Sequence, residues 1–276
     1  MKYALLIFFS AFVFISCKKE NGFANQRGIS DADYQLLIEL SDTSTVSSED
    51  DVKYRLDKIT EIFHNYNDKR GLFPLVYAQT TKQAVLSIHN EPEKYEDLGK
   101  AIAITEAFAK RYLFNLHDHL LGKKAPEYHW KQYYVMCFSN QPALRTACAG
   151  LNAHLTVDLA RAVADVNGKA AYKKDYLQFG ETLVNAAPFI VDELKSQYNV
   201  ESEDLFNGFF IGDIIDPIFG EGSTTQFAFQ FIRQEAFTNA QYLQGPNPPG
   251  AQQHLFVLWR DREKLLDDLV TSGFIK

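Results

Sequence analysis

Three cysteines in 276 residues leave no material for a disulfide-stapled fold. Cys137 and Cys148 could form one bridge in an oxidising compartment or stay as small buried side chains, but two thiols cannot make a tetrahedral zinc site. Positive charge is also scarce, with 28 Lys and Arg against 35 Asp and Glu, a net charge of −7. Neutralising phosphates needs clustered Lys and Arg, and no basic stripe appears, so nucleic acid is excluded as a partner. Strand-like alternation is nowhere sustained, and there is no internal repeat or low-complexity tract. Several familiar chemistries are missing too: the chain has no P-loop, no dinucleotide fingerprint, no Gly-x-Ser-x-Gly elbow and no His-Glu-x-x-His pair.

What is present begins with MKYALLIFFSAFVFISCKKE. One lysine is followed by an apolar run from Tyr3 to Ile15, too short to span a bilayer comfortably and shaped like a secretory signal. Its end resembles the bacterial lipobox, with Ser16 before Cys17 and Phe14 where Leu is usual, a relaxed form typical of Bacteroidetes-like lipoproteins. The resemblance implies a signal peptide over 1–16, lipidation of Cys17, and a tether over 17–30. Acyl chains on Cys17 would hold the protein on a membrane without a transmembrane helix. The expected location is the cell envelope, as an outer-membrane lipoprotein facing the periplasm or the cell surface.

The remainder, 46% of the whole chain being hydrophobic and 23% charged, can bury a core. Its periodicity is helical. Ser48 and Asp51 stand at capping-box spacing, and Leu56, Ile59, Ile62, Phe63 and Tyr66 fall on one face of the helix that follows. Further helices are expected after Pro74, over about 93–121, from Pro142 to the stop at Asn167-Gly168, over 173–198, 204–219 and 223–243, and over about 252–270. The expected architecture is an all-α bundle of roughly eight to ten helices, packed as one domain over 31–276.

GLNAHLTVDLARAV, starting at Gly150, is the stretch that does not read as filler. At 100° per residue Leu151, His154, Asp158 and Arg161 form one ridge, so His154 and Asp158 can touch or point together at a third group. Three readings are open: a polar pair satisfying itself between helices, two ligands of a metal such as zinc, or a His–Asp acid–base couple.

The chain is similar to a bacterial domain-of-unknown-function family whose members carry a helix of the form Asn-Ala-His-Ile-Asn-x-Asp-Leu. Asn152, Ala153, His154, Asp158 and Leu159 match that form, Leu155 replaces Ile, and Thr156 stands where the second Asn is usual. The likeness extends to the 72–80 helix, AKRYL at 109–113, KKDYLQFGETL after the motif, and 233–237. It implies an all-α domain with an Asn/His/Asp cluster and no assigned activity. A looser likeness is to zinc-dependent phospholipase C and all-α zinc nucleases, in which one helix carries a His-x-x-x-Asp pair on two metals; here only the spacing matches.

Other candidates are weaker. His117 and His119 flank Asp118 but lie about 200° apart on a helix and cannot grip one ion. His64, His89, His129 and His254 read as isolated. Asp213 and Asp216 sit beside glycines and Pro217, where a helix end and a turn explain them. Arg233, in the aromatic helix FAFQFIRQEAF, would be costly if buried unpaired, and its expected partner is Asp158, Asp213 or a ligand's anionic group. Two functions follow. One is an envelope-anchored hydrolase with His154 as metal ligand or general base, Asp158 as co-ligand or orienter, and Asn152 and Arg233 positioning an anionic or carbonyl group. The other is a non-catalytic lipoprotein in which the cluster is a buried packing network and an exposed face binds a small molecule, glycan, lipid or protein.

Overall fold

A computed structural model describes residues 28–122, 127–202 and 223–275, with the backbone alone at 182–183 and 223–228. The expected 204–219 helix, Cys17, Asp213 and Asp216 lie outside the described residues. Helices run α1 Asp31–Ser41, α2 Glu49–Asn65, α3 Leu72–Asn90, α4 Leu98–Leu120, α5 Tyr128–Cys137, α6 Ala143–Asn152, α7 Leu159–Asp165, α8 Lys173–Val184, α9 Ala187–Tyr198, α10 Ser223–Leu243 and α11 Pro248–Thr271. Between α6 and α7 the chain does not leave the helix but widens into a π segment, Ala153–Asp158. Counting that continuous 143–165 rod once gives ten helices, with no strand among the described residues. The all-α expectation holds.

Helix boundaries follow local chemistry. The Ser48 hydroxyl accepts the Asp51 N–H at the start of α2, while the Asp51 carboxylate reaches the Ser47 N–H rather than closing a box on Ser48. The helix expected from residue 93 starts only at Leu98. Pro92 opens a short 3-10 turn, and the Asp97 side chain then caps α4 through the Lys100 N–H. The single helix expected over 173–198 is two, because the chain turns at 185–186 and Pro188, lacking an N–H, sits in the first turn of α9. At the end of α7, Asn167 takes a left-handed φ of 54° and the Gly168 N–H returns to the Val163 carbonyl.

The buried apolar residues fall into three main groups. Leu37, Leu56, Phe63, Tyr112, Leu116 and Trp130 belong to the first, built on α1, α2, α4 and α5. Leu72, Val76, Ile190 and Leu194 mark the second, where α3 meets α9. Tyr176, Phe237, Ala240 and Leu255 mark the third, where α8, α10 and α11 meet. The 143–165 rod enters all three, through Ala149 and Ala153, through Leu144 and Cys148, and through Leu159 and Val163 respectively. Gly150 shows how closely it is held: a Cβ there would lie 2.7 Å from Cβ of Phe73, so only glycine lets α6 lie this near α3. The quoted motif is therefore the axis of the fold.

Cys137 and Cys148 are both buried and neither is in a disulfide. Burial pushes the Cys148 thiol up to about 12 and the Cys137 thiol higher still. Neither is a nucleophile at neutral pH. No helix of the described residues is long and apolar enough to cross a membrane.

Candidate functional site

The π segment adds a residue to the turn that carries His154 and Asp158, so the Leu159 N–H reaches back to the carbonyl of His154, five residues earlier. The regular 100° ridge expected from the sequence is thus broken within the motif, but the pair still meets: His154 Nδ1 lies 3.1 Å from Asp158 Oδ2. Two further donors come from α5. Trp130 Nε1 donates to Oδ2 at 2.9 Å and His129 Nε2 lies 3.0 Å from Oδ1. A carboxylate can only accept, so both imidazoles are donors here. Asp158 and His129 are completely buried and His154 is 2% exposed.

Aromatic rings close the cluster. His154 stacks on Phe108 at 3.5 Å between centroids and meets the Tyr77 and Phe73 rings edge-on. Its Nε2 has no hydrogen-bond partner, and neither does Nδ1 of His129. Burial would raise the Asp158 carboxyl, but the hydrogen bonds from His129 and His154 overturn that and hold it well below the usual carboxylate range. Burial pushes the His154 imidazole below its ordinary value by more than its bond to Asp158 raises it. Asp158 is therefore an anion and His154 a neutral ring with its proton on Nδ1. The chemistry available is that of an oriented base with nothing beside it to deprotonate.

The other expected site residues go elsewhere. Asn152 faces α11, where its amide donates to the Trp259 carbonyl at 3.0 Å and to Glu263 at 2.8 Å. Glu263 in turn accepts from the buried Arg145 at 2.6 Å, and Arg145 also holds Asp267. Thr156 donates to the side-chain carbonyl oxygen of Asn152 and accepts from Arg262, which pairs with Glu235 of α10. This second network ties the motif to α10 and α11. Arg233 touches neither network; its Nη2 donates to the Tyr176 carbonyl at 2.6 Å and its guanidinium lies over the Tyr176 ring.

His129 is not the isolated residue its sequence setting suggests. It and its neighbour Trp130 aim ring N–H groups at the two oxygens of one carboxylate 28 and 29 residues away. The only sequence signal is the dipeptide itself, two polar-edged rings side by side in an aromatic helix. The other histidines stay apart: His117 meets Ser41 and the Ile38 carbonyl, His119 stacks on Tyr134, and His89 lies by Glu49.

Glu127, His129 and Asp158 each offer a donor atom, and these lie within 4.8 Å of one another. The contacts compete with a cation. Asp158 already accepts three N–H groups, Glu127 is held by Arg161 at 2.6 Å, and His129 Nδ1 lacks the outer partner that orients a ligating imidazole. Glu127 and Arg161 also line a surface cleft of about 400 Å³ with Arg111, Asp165, Gln244 and Gln252. A second cleft, of about 420 Å³, lies across the 245–250 loop beside Tyr242 and His254. The walls of neither include His129, His154 or Asp158.

One buried imidazole and one half-buried imidazole give the fold an acid limit. Burial, with the Arg70 charge beside it, lowers His119 to about 3, and His154 is lowered as well. The unfolded chain binds these protons at a pKa of about 6.5 while the folded chain refuses them, so the stability they contribute is complete above that pH and declines below it. Chemical unfolding between pH 7 and 4 is expected to show stability falling with acid, by at most ~1.4 kcal/mol per pH unit for each histidine. His119→Gln should flatten the dependence, and a stability that is level or rises across this range would contradict the assignment.

A family model described as "Family of unknown function (DUF5995)" matches residues 50–267, the span from α2 through most of α11 that contains both polar networks. No curated protein and no solved structure matches the chain. The match covers well over half of the sequence, and the chain belongs to this family of unknown function.

Proposed function

We propose that the protein is a lipid-anchored envelope lipoprotein that binds a partner without catalysis, and that the cluster around Asp158 is a packing network. One observation carries this reading: the Asp158 carboxylate is fully buried and its charge is answered by three N–H donors from two elements. A catalytic carboxylate or imidazole must meet substrate, whereas this one meets only the helices it joins. The binding surface is then the pair of clefts beside the 245–250 loop. Charges in the first are matched, Arg161 with Glu127 and Arg111 with Asp165, which suits a neutral, hydroxyl-rich ligand such as a glycan better than an ion. Anchoring rests on the N-terminal sequence: the apolar run ends at Ser16-Cys17, and the mature chain would begin at Cys17.

A second reading is favoured by the grouping of Glu127, His129 and Asp158, a donor set that suits zinc in a metal-dependent hydrolase. Elemental analysis of protein purified without chelator or affinity metal separates the two. The packing reading expects no stoichiometric transition metal in the native protein. Near-stoichiometric metal that disappears in His129→Ala would replace it with the hydrolase. For the anchor, Cys17→Ala should abolish labelling by a fatty-acid analogue and move the protein from the membrane to the soluble fraction. Unchanged labelling and membrane retention would refute lipidation at Cys17.

A further inference from the structure

Arg233 is 3% exposed, yet no carboxylate among the described residues pairs with it. Its guanidinium donates to one carbonyl, that of Tyr176, and packs on the Tyr176 ring at 4.1 Å and the Phe229 ring at 5.9 Å, while Nε has no partner. The close fit depends on Gly180: a Cβ there would stand 2.3 Å from Nε. Stacking on aromatic rings offsets only part of what burying a charge costs, and a buried cation normally has an anion beside it. Burial accordingly lowers the Arg233 pKa despite the neighbouring tyrosines.

Arg233 also lines a small cavity of about 30 Å³. The hydroxyl residues Tyr77, Thr80, Thr81 and Thr105 share its wall with Ile104, Phe108, Leu159 and other apolar side chains. Thr80 and Thr105 each donate their hydroxyl to a carbonyl one turn earlier, which leaves oxygen lone pairs rather than protons for a ligand. The arrangement therefore has one cationic end and an apolar remainder. It fits a group with a single negative charge and a small hydrocarbon part; a doubly charged tetrahedral anion would leave one charge unmatched.

We propose that this cavity binds a short-chain monocarboxylate, with its carboxylate on Arg233 and its methyl end against Ile104, Phe108 and Leu159. The pairing would be charge-assisted and, with a planar guanidinium, directional. Arg233 itself makes no contact with the Asp158 cluster, but Phe108 and Tyr77 line the cavity on one side and pack on His154 on the other.

The test is calorimetric titration of the detergent-solubilised full chain with sodium acetate, and separately with sodium chloride and sodium sulfate. Saturable binding of acetate is expected, with at least tenfold weaker binding of chloride and none of sulfate. Arg233→Gln should lose acetate binding by tenfold or more. Because that substitution can also disturb folding, Thr81→Leu provides a second probe: it keeps Arg233 but fills the cavity, and should abolish acetate binding while the unfolding transition stays cooperative. Arg260→Gln, on the exposed face of α11 and outside every cleft described above, should bind acetate as the native protein does. Absence of saturable acetate binding, equal binding of chloride, or acetate binding that survives both Arg233→Gln and Thr81→Leu would overturn the proposal.

Discussion

The buried carboxylate of Asp158 sets the terms for the rest of the molecule. A charge taken out of water costs several kcal/mol unless its lone pairs are met, and here they are met by His154 on the same rod and by His129 and Trp130 on α5. These bonds fix the distance and rotation of α5 against the 143–165 rod. Because that rod supplies side chains to three of the apolar groups, its placement decides how the remaining helices can pack. The aromatic shell of Phe73, Tyr77 and Phe108 then excludes water from the histidine ring, which strengthens each hydrogen bond and makes the loss of any one of them expensive.

A second tier of polar contacts extends the same logic. Asn152 and Thr156 lie on the face of the rod turned away from α5, and they connect to Glu263, Arg145 and Arg262. The π segment separates these two sets of side chains, so that one short stretch of sequence can lock α5 on one side and α10 and α11 on the other. The 150–163 motif is therefore a joint. Its residues are polar because they must specify one arrangement among the many that apolar packing alone would tolerate.

The all-α architecture and most helix positions were legible from periodicity and capping residues, because those are local properties. The contact between His154 and Asp158 was legible for the same reason: four residues along a helix bring side chains together almost regardless of context. The rest was not local. His129 and Trp130 reach Asp158 across a gap in sequence that no spacing rule bridges, so His129 read as solitary. Asn152 was grouped with His154 because they are near in sequence, but two residues along a helix lie about 200° apart, so the two meet different neighbours. Arg233 was expected to answer Asp158, Asp213 or a ligand; the first is excluded because Arg233 turns from α10 onto Tyr176 of α8, and Asp213 lies outside the described residues. The break between α8 and α9 was marked by Pro188 and could have been read as the start of a new helix.

Unfolding of Asp158→Asn by urea at neutral pH measures what the buried carboxylate contributes. The carboxamide keeps the size of the side chain but replaces one acceptor oxygen with a donor, leaving at least one buried N–H of His129, His154 or Trp130 facing another. If the carboxylate is the anchor of a packing network, stability should fall by about 3–5 kcal/mol, the range for breaking a buried charge arrangement on one side. A cluster kept for metal or substrate would behave oppositely, since removing an uncompensated buried charge relieves the resting protein. Unchanged or increased stability in Asp158→Asn would contradict the account.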